Sequence, residues 1–145
     1  MNIEVEQSTP CFSKGEIFVN APIEHVFNTI ADINNWPKWQ SPVSTAHIDG
    51  NTEQGKLFTW KANGLAIKSK LHTVLPYSEI GWTGKIWWIK AIHNWCLSSE
   101  GNGTRIIVKE SMRGFGASIL KKTLDEGIAK NLQELKAKVE KATGQ

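Results

Sequence analysis

Two stretches of alternating residues place single ionisable groups among hydrophobes, and those groups are where chemistry could occur. From Ile89 to Leu97 the odd positions read Ile89, Ala91, His93, Trp95 and Leu97. From Thr104 to Met112 the even positions read Thr104, Ile106, Val108, Glu110 and Met112. Side chains alternate along a strand, so each set shares one face of a sheet. Both sets are largely apolar and are expected to point inward, while Arg105, Lys109 and Arg113 suit the solvent side. A carboxyl on a core face is costly unless it is hydrogen-bonded, paired or protonated. Glu110 and His93 are therefore expected to line a wet or ligand-filled pocket. The competing reading closes them against each other in a filled core. An acid/base role for Glu110 or His93 is the secondary expectation.

Other chemistries find no support in the spacing. His25, His47, His72 and His93 fall on one helix and three separate strands, without HxxxH or HxH spacing. The three or four convergent ligands of a zinc site are thus not expected, nor is any metal or cofactor. A GxSxG motif is absent, and the glycines fall singly or at turns, which argues against a serine nucleophile or a phosphate-cradling loop. Cys11 and Cys96 lie far apart, outside any CxxC or Cys/His pattern, and read as reduced thiols of a cytoplasmic protein. The net charge of +3 comes from lysines scattered without a run of five, so nucleic acid is not an expected partner. The opening MNIEVEQSTP lacks the apolar core of a secretory signal, and no apolar run nears the ~20 residues of a membrane span.

Seven tryptophans against one tyrosine are unusual. Tryptophan is large and amphipathic, and it gathers where apolar walls meet polar groups. The chain either packs around big aromatics or is built to hold something flat and apolar. Trp87 and Trp88 should put one ring on each sheet face, at least one of them exposed. A partly buried surface residue is the preferred reading there, ahead of an interface or a pocket mouth.

The elements that must position these groups follow from periodicity and breakers. Cys11 to Asn20 reads as a strand. Pro22 to Ala31 reads as a short helix with Ile23, Val26, Phe27 and Ile30 on one stripe. A second short helix follows before Pro42, capped by Asn34 and carrying Trp36 and Trp39 on one face. Strands are expected over Val43–Asp49, Gly55–Ala62, Leu65–Leu75, Ile80–Ile86, Trp88–Ser99 and Thr104–Met112, with hairpin turns at Asn63-Gly64 and Gly101-Asn102-Gly103. A long helix should run from Phe115 to Ala142, with Ala117, Leu120, Leu124, Ile128, Asn131, Leu135 and Val139 as its buried stripe. Gly114-Phe115-Gly116 before it reads equally as a hinge or as a plain turn. The expected class is α+β: a curved antiparallel sheet of six to seven strands around the C-terminal helix. A twisted sheet curls, so such a helix touches it along a line and leaves a gap on either side. One domain should span 1–145, its first ten or so residues a flexible tail, as monomer or homodimer.

The stretches APIEHVFNTIADINNWPKW, AIHNWCLSSEGNGTRIIVKESMRG and NLQELKAKVE, in this order of elements, resemble the polyketide cyclase/dehydrase-like branch of the START-like (SRPBCC) superfamily. The resemblance covers roughly Ser13 to Lys141. It is carried by Ala21-Pro22, the Trp36–Trp39 pair, Gly103-Thr104-Arg105 and the placing of Glu110 four residues before Gly114. It implies the helix-grip, Bet v 1-like fold with a pocket between sheet and long helix, and the positions of His93, Trp95 and Glu110 match where that family places pocket residues. The expected ligand-binding set is His93, Trp95, Glu110, Ile106, Val108, Met112, Trp60, Trp82, Leu120 and Leu124. The resulting expectation is binding or transport of a lipid, sterol or polyketide-like molecule. The alternatives are a cyclase or dehydratase using Glu110 or His93, and a protein-interaction module of co-chaperone or antitoxin type.

Overall fold

A computed structural model describes residues 11–114 and 116–142, so the expected N-terminal tail lies outside the described residues. The alternating segment Cys11–Val19 forms β1 and the amphipathic Ile23–Ala31 forms α1, which buries Val26, Phe27 and Ile30. A 3₁₀ segment, Ile33–Lys38, follows. Asn34 does not cap it. Its side chain instead accepts from Ile48 N at 2.8 Å and donates to Ile48 O at 3.3 Å, tying this segment to the strand that follows. That meets two backbone groups which have just left the sheet.

Six strands complete the sheet: β2 (Val43–His47), β3 (Leu57–Ala62), β4 (Leu65–Leu75), β5 (Glu79–Ile86), β6 (Ile89–Glu100) and β7 (Gly103–Arg113). All neighbours are antiparallel, in the order β1-β7-β6-β5-β4-β3-β2. The meander thus closes back on its first strand, with β1 laid beside β7.

The long helix starts later than the sequence predicts. Gly114 and Gly116 take φ values of +135° and +82°, and Ala117–Leu120 forms a 3₁₀ turn, before α2 runs over Lys121–Ala142. A side chain at Gly114 would lie 2.6 Å from the carbonyl oxygen of Trp88, so the chain turns tightly against the β5–β6 hairpin there. The buried stripe of α2 is Leu124, Ile128, Leu132, Leu135 and Val139.

Where α2 sits is decided by one small residue. A Cβ at Gly15 of β1 would come within 2.7 Å of both Ile128 Cγ2 and Leu132 Cδ1. The helix therefore rests mainly on β1, at one side of the sheet. Over β3–β6 it stands clear, and that is where the interior stays open. Glu140 helps fix this seat: its carboxylate accepts from Asn20 N at 2.8 Å and from Lys136 Nζ at 2.6 Å.

Candidate functional site

The open space is a cavity of about 390 Å³ between α2 and the sheet. Aromatic rings make its floor. Trp36 donates from Nε1 to Ile30 O at 2.9 Å and meets Phe58, Trp60 and Trp82 with ring centroids 5.5, 5.2 and 5.0 Å away. Trp82 stacks nearly parallel on His93 at 4.9 Å, and His93 in turn leans on Trp95 at 5.6 Å. Trp60 Nε1 is held by Ser69 Oγ at 3.0 Å. Packed and hydrogen-bonded in this way, the rings form a wall whose rotamers are set before anything enters.

His93 and Glu110 stand directly opposite each other in the β6–β7 register. Both line the cavity, and His93 Nδ1 is hydrogen-bonded to Glu110 Oε1. The two competing readings are thus realised together: the groups pair, and they do so at a cavity wall. In a neutral imidazole that donates from Nδ1 to the carboxylate, Nε2 is the lone-pair nitrogen. That Nε2 is buried and has no partner among the described residues.

Trp95 Nε1 and Asn131 Oδ1 share that condition, and both residues also line the cavity. Asn131 projects from α2 and donates from Nδ2 to Gln40 Oε1 at 2.8 Å, which leaves its oxygen to face elsewhere. No lysine or arginine is among the described residues that line it. Just outside it, Cys11 is fully buried, and burial together with the nearby Glu110 charge holds its thiol above the ordinary value.

Of the residues expected from sequence, His93, Trp95, Glu110, Met112, Trp60, Trp82, Leu120 and Leu124 line this space. Ile106 and Val108 do not. Both are fully buried, because β7 passes beneath the seat of α2, where the helix closes on Gly15 beside Val108. Sequence reasoning missed Gln40 as a lining residue and read Asn131 only as part of a buried stripe. A lone amide in an apolar helical stripe was the available signal. At the rim, the pocket-mouth reading that was set second for this turn fits Trp87 better than the preferred one. Trp87 is at once a lining residue and largely exposed, so the β5–β6 turn borders the mouth. Among the described residues no group of three His, Cys, Asp or Glu could hold a metal, and no helix is long and apolar enough to cross a membrane.

The family model described as "Polyketide cyclase / dehydrase and lipid transport" matches residues 5–140. The chain belongs to this family. Solved structures agree on the fold of this polyketide cyclase/dehydrase-like chain. A hypothetical protein, jhp0584, from Helicobacter pylori superposes with a TM-score of 0.84 at 18% identity, over 96% of this chain and 98% of that one. A START superfamily protein from Mycobacterium smegmatis gives 0.79 at 13% identity, over 90% and 98%. The di-domain ARO/CYC StfQ from the steffimycin biosynthetic pathway gives 0.78 at 14% identity, over 93% of this chain and 52% of that one. No curated protein matches the sequence.

Proposed function

We propose that this polyketide cyclase/dehydrase-like chain binds one compact, largely apolar ring compound in the cavity, through a hydroxyl or carbonyl oxygen. The observation that carries this is an aromatic-walled cavity whose described lining holds three unpartnered buried polar atoms and no lysine or arginine. Convergent polar groups in an apolar concavity are the usual make-up of a ligand site. A buried N–H left without a partner costs about 1–3 kcal/mol, which a ligand oxygen at Trp95 would recover. A carboxylate would enter beside Glu110 with only His93 to balance it, so a fatty acid is disfavoured. The volume lies near the small end of the roughly 300–1,000 Å³ typical of such sites, which favours a sterol or polyketide-like ring system over a two-chain lipid. The names of the family and of StfQ point the same way. The thiols Cys11 and Cys96 suit a reducing, cytoplasmic setting.

The test is a titration of tryptophan emission with hydroxylated polycyclic aromatics, sterols and fatty acids. Saturable quenching by a ring compound, weakened in Trp95→Phe, is expected. Tighter binding of fatty acids, or no saturation by any class, overturns the proposal.

A second reading, a cyclase or dehydratase, is favoured by one observation. His93 Nε2 is unpartnered while Nδ1 is fixed by Glu110. A carboxylate-oriented imidazole with a free lone pair is the arrangement of a general base. If a substrate is turned over, Glu110→Gln and His93→Ala should each lower kcat by about 10²–10⁴-fold. Unchanged turnover in both rules the pair out.

A further inference from the structure

The β5–β6 turn consists of Trp87 and Trp88, residues unsuited to a two-residue hairpin. Such turns call for Gly, Asn or Asp, which tolerate positive φ. Trp87 stands at φ +52°, where a bulky side chain is a genuine outlier. The two rings stack on each other with centroids 5.8 Å apart and are 68% and 58% exposed. Ile119, in the turn that leads into α2, is 82% exposed. Folding accounts for none of these choices.

Behind the turn, the register lines up cations. Lys68 of β4 faces Lys85 of β5, Lys85 faces Lys90 of β6, and Lys90 faces Arg113 of β7. Four adjacent strands thus carry one cross-strand row of positive charge, and all four residues are exposed. Directly opposed side chains lie about 4.5–5.5 Å apart at Cβ, and like charges there destabilise the sheet. Lys68, Lys85 and Lys90 have no ion pair among the described residues. Acidic residues of β5 and β6 stand at the far end, Glu79 opening β5 and Glu100 closing β6. This end is therefore cationic on the outer face of the sheet and apolar at its tip, where Trp87 borders the cavity lined by the opposite face.

We infer that this end of the molecule docks on an anionic lipid surface, with the Trp87–Trp88 turn at headgroup depth and the Lys68–Lys85–Lys90–Arg113 row against the charged headgroups. Tryptophan favours the membrane interface, where its amphipathic ring meets both phases. Each lysine near an anionic surface strengthens binding roughly fivefold. Single-stranded nucleic acid also combines cations with aromatic rings. Lipid is the better fit because the two rings stack on each other instead of standing apart as base platforms, and because Trp87 borders an apolar cavity. The inference rests on the outer surface and does not require the cavity to hold a ligand.

The experiment is co-sedimentation of the full chain with phosphatidylcholine vesicles, with or without roughly a third phosphatidylglycerol. Binding to the anionic vesicles alone, weakened by salt and accompanied by a blue shift of tryptophan emission, is the expected result. The exposed double substitution Lys85→Gln/Lys90→Gln should weaken binding about thirtyfold without lowering Tm, since it also relieves a like-charge pair across the sheet. Trp87→Ser/Trp88→Ser should abolish the blue shift. Equal sedimentation with both vesicle types, no loss in the lysine variant, or retention of a single-stranded oligonucleotide in preference to vesicles overturns the inference. A Trp95→Phe chain with weakened affinity for ring compounds should still sediment like the parent, which separates this result from failure of the cavity proposal.

Discussion

The space between the sheet and α2 has two halves built from similar residues with opposite outcomes. Over β1 and β7, Gly15 lets Ile128 and Leu132 come down onto the strand, and Ile106, Val108, Leu135 and Val139 are sealed. Over β3–β6 the same helix stands clear of a tryptophan-rich wall, and about 390 Å³ stays open. The difference lies in where one side chain is missing. Among the described residues, the unpartnered buried polar atoms of the cavity lining, on His93, Trp95 and Asn131, all belong to the open half. The closed half should therefore govern stability and the open half binding.

Substitutions can break that division, beginning with the largest effect. Leu135→Ala empties a fully buried site in the closed half. It should cost about 2–5 kcal/mol in urea unfolding while leaving ligand affinity nearly unchanged. Gly15→Val would push α2 off β1 and should cost about 1–3 kcal/mol by the same measurement. In the open half, Trp95→Phe removes an N–H that has no partner in the free protein together with part of a buried ring, so it should cost less than Leu135→Ala, about 1–2 kcal/mol. Its affinity for a ring compound should fall about tenfold by fluorescence titration.

Smaller effects sharpen the same contrast. Gly127 interrupts α2 beside the cavity, and a Cβ there would meet nothing within 4 Å. Glycine within a helix costs about 0.5–1 kcal/mol relative to alanine, so Gly127→Ala should raise stability by that amount, while Gly127→Leu should reduce ligand capacity. The smallest effect concerns the anchor of α2. The Asn20 N–H, then Lys136, hold the Glu140 carboxyl below its ordinary range. A depressed pKa stabilises the fold above the unfolded-state value, and the contribution disappears as pH falls through the folded one. Glu140→Gln should thus cost at most about 0.5 kcal/mol at neutral pH, and nothing in acid, by thermal melts across pH.

Much of this was legible in the sequence, because strand alternation and turn residues are local signals. The inward faces of β6 and β7, and with them the facing of His93 and Glu110, follow from period two alone. The family resemblance, carried by motifs such as Ala21-Pro22 and Gly103-Thr104-Arg105, agrees with the family match and the fold. What could not be read depends on distance between elements. Ile106, Val108 and Glu110 share one strand face, and only the seat of the helix decides that the first two are sealed while the third lines a cavity. Asn34 looked like a cap because its partner, Ile48, is remote in sequence. The cation row is likewise invisible along the chain. Its members lie on four strands and meet only through register.

The most direct test of the central claim follows the indole N–H resonances by NMR during ligand titration. Trp36 and Trp60 are internal controls, since their N–H groups already donate to Ile30 O and Ser69 Oγ. A hydroxylated ring compound should move the Trp95 indole proton downfield, saturably, as its N–H gains an oxygen partner, while Trp36 and Trp60 shift little. A ligand that saturates the protein and leaves the Trp95 indole unmoved would contradict the claim.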